Sequence, residues 1–438
     1  MDVRTYLKDK QILSWALYDW ANSTFATSIM AAFFPIYFKQ FWSHGESNAI
    51  TSSRLAFATA AASFVVAILA PVLGAIADQV NAKKKFLLFF LTIGVTTTGA
   101  LTFTSMGQWQ IAVLLYAFGT IGFSGSNIFY DALLVFISNE KTVDGVSAFG
   151  FSMGYLGGGL LFVLNTLTVL YPTAFGLTDQ SQAVQVSFIM VAIWWALFSI
   201  PLFLYVPEKK VKSEDSILVI CKKGFSRLRT TFSQLRNLKV TFLFLVSYWF
   251  YIDGVDTIVR LSSNFALNIG ISQQTLLICI LLVQFVAFPC TLLYIKIFEN
   301  KWGTKAGILF GIGCYVIITI SAYFVDSETE FLLLAIGIGS AQGGVQSLSR
   351  SFFSKIIPRN APTEFFGFYN MLGKFAAVFG PMIYGFMRLY TGERQSILSI
   401  IILFILGGAL LLFVDEEKGK AAAREMEKTI AEKEGVGA

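Results

Sequence analysis

Gly74-Ala-Ile-Ala-Asp-Gln-Val-Asn-Ala-Lys-Lys-Lys85 stands directly between two long apolar runs. The first run closes at Ala77, an acid follows at Asp78, and Lys83, Lys84 and Lys85 precede a second run that opens near Phe86. Two apolar segments, each long enough to cross a bilayer and joined by so short a charged turn, read as a membrane hairpin. Gly74 lets two helices approach closely. Asp78 can cap or pair across the turn, and the three lysines hold it on the cytoplasmic side.

The rest of the chain agrees. Of its 438 residues 55% are hydrophobic and 16% aromatic, only 14% are charged, and the mean hydropathy is +0.66. A soluble domain carries about 25% charged residues, so an all-α polytopic membrane protein is expected. Short alternating strands of the kind that build membrane barrels are not evident. The net charge of +6 is concentrated in loops, where the positive-inside rule explains it without a nucleic-acid partner. Cys221, Cys279, Cys290 and Cys314 show no paired spacing, which argues against a disulfide framework or a metal site. His44, the only histidine, falls in the first external loop, so a Ser-His-Asp set is excluded. There is no Gly-x-x-x-x-Gly-Lys-Ser phosphate loop. Neither an enzyme nor an ATP-driven pump is expected, and no cofactor. The polar start MDVRTYLKDKQ carries no cleavable signal pattern.

At about 20 residues per crossing, the apolar runs give twelve helices, near 12–40, 54–77, 86–105, 109–138, 146–171, 184–206, 239–263, 272–298, 305–325, 330–356, 363–390 and 395–414. The longest hydrophilic stretch, 207–238, divides them into bundles at 1–206 and 239–414, followed by a charged tail, 415–438. Apolar residues among the cations of 212–238 suggest a surface-lying amphipathic linker; the tail reads as a solvated helix or as disordered. Arg4, Lys8, Lys10, the three lysines of the turn, the linker cations, Lys355, Arg359 and the tail lie on one side, which puts both termini in the cytoplasm. After helix eight, Lys296 to Lys305 repeats the first turn in degenerate form, with Glu299 in the acid's place. Two similar six-helix halves around a midplane cavity follow from such a repeat.

A charge in a spanning helix costs at least ~2.5–3.5 kcal/mol and needs a partner, water or a function. Helix one places Trp15, Asp19 and Asn22 on one face. Helix four carries Asn127 and Asp131. Helix seven has Tyr251, Asp253, Asp256 and Arg260, the last two spaced for an ion pair; helix ten has Gln346 and Arg350, and helix eleven Lys374. These residues are either packing pairs or machinery facing the cavity. In the second reading the carboxylates carry a coupling proton or meet a substrate amine, and Arg260, Arg350 or Lys374 meets a substrate carboxylate. Asp253 with Asp256 could instead supply two oxygens to sodium. Gly150, Gly154 and Gly158 make a close-packing face on helix five, as do Gly339 and Gly343 on helix ten.

The turn at 74–85 resembles the signature loop of the major facilitator superfamily. Several further stretches are similar to one branch of it, the autophagy-related vacuolar amino-acid effluxers and their bacterial relatives. They are Trp15–Ser23 (WALYDWANS) with Phe33–Ile36 (FFPI), Phe149–Gly159 (FGFSMGYLGGG), Phe250–Ile258 (FYIDGVDTI), Gln346–Phe352 (QSLSRSF), and Glu364–Tyr369 (EFFGFY) with Gly373 and Lys374. The resemblance implies a monomeric secondary transporter for a small polar metabolite, an amino acid or related compound, working by alternating access in a bacterial inner membrane. A nucleoside, peptide, siderophore or other larger or anionic solute is the alternative cargo, and a non-transporting sensor the alternative class.

Overall fold

The computed structural model describes residues 3–208, 238–268, 270–298 and 301–433. The expected surface linker, apart from its ends, Cys221 and Glu299 lie outside these residues. Among the described residues every regular element is helical. Helix one opens with Lys10–Thr24 and continues through Phe25–Phe33, Phe34–Tyr37 and Phe38–Trp42, two of these four pieces being π-helical. Helices two to six are Asn48–Val80, Lys83–Ala100, Trp109–Ile137, Val143–Leu170 and Gln180–Tyr205. Helices seven to eleven are Lys239–Asn268, Gln273–Phe298, Thr304–Tyr323, Glu328–Lys355 and Pro362–Thr391. Helix twelve comes in two pieces, Glu393–Leu398 and Ile401–Leu412.

Ten of these are long and apolar enough to cross a membrane. The other two crossings are helix one, interrupted by its π-helical turns, and helix eleven, whose polar residues serve the molecule's interior. Several helices begin before the apolar run does, because caps rather than hydropathy set their ends. Asp9 accepts the N–H groups of Gln11 and Ile12 at the start of helix one. Ser47 caps helix two, which begins at Asn48, six residues ahead of its expected start, and Asn81 ends that helix in the left-handed region at φ 46°, which asparagine tolerates better than most residues. Ser327 and Glu330 form a capping box on helix ten.

Large apolar side chains such as Phe57, Phe64, Phe89, Leu114, Leu197, Phe242, Ile317 and Leu412 point outward, the surface a lipid solvent requires. Inside are two cores, one built on helices one to six and one chiefly on helices seven to twelve. Within the first, helix five packs on helix one through its glycines. A Cβ on Gly150, Gly154 or Gly158 would lie 2.7, 2.6 or 2.9 Å from Trp15, Ser23 or Thr27. The tail is helical, one of the two states expected of it, but it is not wholly solvated. Residues Glu416–Lys433 form a helix that buries Ala423 and Met426, because its apolar residues share one face and find the second core. Both described ends of the chain meet on one face of the molecule, the terminal face, with Tyr6 against Phe149 and the C-terminal helix against Glu140.

Candidate functional site

The halves are joined near the terminal face by ionic contacts that start from the turn at 74–85. Helices two and eleven cross with their backbones nearly touching: a Cβ on Gly74 would collide with the Thr363 carbonyl, and one on Gly367 would come within 2.7 Å of the Ala70 carbonyl oxygen. This approach brings Asp78 to the first turn of helix eleven. Its Oδ1 accepts from the Thr363 hydroxyl at 2.6 Å and its Oδ2 from the Glu364 N–H at 2.9 Å, while Lys83 lies 2.9 Å away. A carboxylate at a helix N-terminus meets unpaired N–H groups and the positive end of the dipole. The three lysines therefore divide their work. Lys83 is buried against Asp78, Lys84 donates to the carbonyls of Phe203 and Val206 at the end of helix six, and Lys85 is exposed.

The second half repeats part of this. Lys305 donates to the carbonyls of Leu412 and Val414 at the end of helix twelve, both at 2.7 Å, as Lys84 does on helix six. Asp144, in the first turn of helix five, accepts from Thr304 at 2.8 Å and from Lys355 at 2.7 Å.

Deeper by about one to two helical turns, Arg350 of helix ten passes into the first half. Its Nη1 is 3.1 Å from Asp131 Oδ1 and 3.5 Å from Asp19 Oδ2. Nε donates to the Ser147 hydroxyl at 3.0 Å and Nη2 to the Ser147 carbonyl at 2.9 Å. Its guanidinium stacks 4.1 Å from Phe151 and 4.9 Å from Trp15. Tyr130 donates to Asp19 at 3.0 Å and Asn370 to Asp131 at 3.2 Å. Asp19, Asp131 and Arg350 retain 8%, 8% and 3% of their exposure. Two buried carboxylates thus share one guanidinium from the opposite half, and among the described residues in contact the cluster is one cation short.

A matching family profile, described as "Vacuole effluxer Atg22 like", spans residues 8–424. The chain belongs to that family. It is 40% identical over 412 residues, covering 93% of this chain and 95% of the relative, to the uncharacterized MFS-type transporter YxiO of Bacillus subtilis (strain 168). It is 23% identical to autophagy-related protein 22 of Vanderwaltozyma polyspora over 97% of this chain and 95% of that protein. Among solved structures it is similar to the proton:xylose symporter XylE at a TM-score of 0.71 and 16% identity, over 95% of this chain and 98% of that one. The fold is that of the major facilitator superfamily, and the protein is an integral membrane protein of a transporter family.

Against this family fold, the residues singled out from sequence fall into separate groups. Asp19, Trp15, Asp131 and Arg350 share the inter-half cluster rather than an open cavity, because helix ten supplies the cation that helix one lacks. Asn22 donates to Asn127 at 2.6 Å within the first half. Gln346 accepts from Tyr155 at 2.9 Å across the halves. Asp253 does not join Asp256. Its carboxylate accepts the Gly380 N–H at 2.9–3.0 Å and the Thr257 hydroxyl at 3.2 Å, next to Pro381 in the interior of helix eleven. Tyr251 is likewise internal, bonded to Ser349 at 2.7 Å. Asp256 and Arg260 stand 3.9 Å apart with side chains 30% and 41% exposed, and Lys374 lies within electrostatic reach of Asp256. This last set is accessible where the Arg350 cluster is not.

Sequence reasoning missed Ser147, Asn370, Asp144 and Thr363. Asn370, a lone amide in an aromatic helix, carried a usable signal. Asp144 and Thr363, in the first turns of helices five and eleven, carried no sequence signal of their pairing.

Proposed function

We propose that the protein is a proton-coupled secondary transporter for a small polar metabolite of amino-acid type, working by alternating access with the terminal face cytoplasmic. The observation that carries this is the buried Asp19–Asp131–Arg350 cluster between the halves. Opening the terminal face must pull Arg350 away from the two carboxylates, and a proton or substrate ammonium is the charge that would let them part. Asp256, Arg260 and Lys374 are the accessible groups for a zwitterionic solute, whose carboxylate would meet the two cations. The concentration of lysine and arginine at the terminal face supports a cytoplasmic assignment, and the bacterial relative supports a plasma membrane. A monomer suffices, since both halves belong to one chain.

The test is uptake into proteoliposomes of labelled amino acids and nucleosides, with and without imposed proton and sodium gradients. The wild type is expected to accumulate an amino acid under a proton gradient. Asp131→Asn is expected to lose accumulation while still exchanging labelled for unlabelled solute. Accumulation by Asp131→Asn equal to wild type would refute the coupling role, and a sodium requirement would replace the proton.

A further inference from the structure

The C-terminal helix belongs by packing to the second half. Gly419 sits so close to that half that a Cβ there would come within 2.7 Å of Ile356 and 3.1 Å of Val240. Met426 joins the second core. The Glu427 carboxylate accepts the Arg359 N–H at 2.5 Å and its carbonyl accepts from Asn360 at 3.3 Å. From this anchorage Arg424 reaches across to the first half, where its Nη2 is 2.6 Å from Glu140 Oε1 in the turn between helices four and five. Alongside it Arg359 donates to the carbonyls of Val135 and Ser138 at 2.8 and 3.1 Å. These arms bound a cleft of about 280 Å³ between the halves, lined by Ser138, Glu140, Lys355, Arg359, Arg424 and Glu427.

We propose that the C-terminal helix is a strap across the terminal face: docked on one half and salt-bridged to the other, it retards opening of that face. The strap differs from the Asp78 and Arg350 contacts in its exposure. Arg424 and Glu140 side chains are 62% and 49% exposed, so ions in the adjoining solution screen their attraction. The buried contacts supply the closed state, and the strap adds a small, adjustable bias set by ionic conditions on that side. A helix held only by its own half would leave Arg424 free of the opposite turn; here that side chain spans the gap.

The strap rests on the proposed opening of this face, so the experiment measures the opening directly. Spin labels at Lys141→Cys and Lys301→Cys, both exposed and on opposite halves, go into full-length protein with Cys221, Cys279, Cys290 and Cys314 replaced. Their distance distribution reports the open population. Arg424→Glu, Glu140→Arg and deletion of 416–438 are each expected to raise it about 1.5- to 5-fold, the range of an exposed pair. The double swap with both charges reversed is expected to restore it. High salt should reproduce the effect in wild type and add nothing to the 416–438 deletion, which has no charge opposite Glu140 left to screen. Asp78→Asn is the reference variant. If it shifts the distances and the strap variants do not, or the double swap fails to restore them, the strap is refuted. If Asp78→Asn also leaves them unmoved, the face does not open, and the transport reading falls with the strap.

Discussion

Replacing Arg350 with glutamine should favour the state open at the terminal face. Arg350 makes three hydrogen bonds of 2.9–3.1 Å to Asp131 and Ser147, and stands 3.5 Å from Asp19. The substitution leaves two carboxylates, each 8% exposed, facing each other without their cation. Removing one partner of a buried pair costs about 3–5 kcal/mol, because the remaining charge stays desolvated. That cost falls on the closed state, since opening admits water to the carboxylates. At about 1.4 kcal/mol per tenfold, the closed-to-open ratio should fall by roughly two to three and a half powers of ten. Arg350→Lys keeps the charge but loses the fork that reaches Ser147, and should lie between. The assay is the distance distribution between labels at Lys141→Cys and Lys301→Cys. A ratio within about threefold of wild type, well under 1 kcal/mol, would refute the idea that this cluster locks the halves.

Three further outcomes follow from the geometry. Gly74→Leu and Gly367→Leu push a side chain onto the opposing backbone, with Glu364 Cα 3.0 Å from a Gly74 Cβ and Pro71 Cα 2.8 Å from a Gly367 Cβ. Each should weaken closure by about 1–3 kcal/mol while the protein still purifies as one species, and unchanged label distances would contradict the close crossing. Asp253→Ala removes the acceptor of the Gly380 N–H and should lower thermal stability by about 1–3 kcal/mol, with Asp253→Asn milder because one oxygen remains; an unshifted Tm in Asp253→Ala would show that the contact contributes nothing. The third concerns pH. Arg424 holds the Glu140 carboxyl below its ordinary value of 4.5, so the strap contact is complete above that value and is lost as pH falls through the lowered one. Its contribution should therefore be flat from about pH 6 to 8. A difference between wild type and Glu140→Gln that changed within that window would assign the strap to another group.

The packing glycines were legible from spacing alone. Gly150, Gly154 and Gly158 repeat at one helical turn, and that periodicity defines a face whatever lies opposite. The acids were legible only as residues that lipid would reject. Asp253 and Asp256 are three residues apart and share a helical side, yet one is claimed by the Gly380 N–H and the other keeps 30% of its side chain exposed. The tail's apolar residues share a face too, but the reading of that segment followed its charge, and only the second core shows what that face covers.

By itself the sequence determined a helical membrane protein, its crossings, its two-part organisation and its family. Ten of the crossings are selected by their own composition against lipid, a local property that needs no partner. Tertiary structure alone decided which charge meets which. Arg350 and Asp131 stand 219 residues apart, on helices of different halves. Position within a helix sets only the direction in which a side chain points; the closing of one half on the other decides what it meets there.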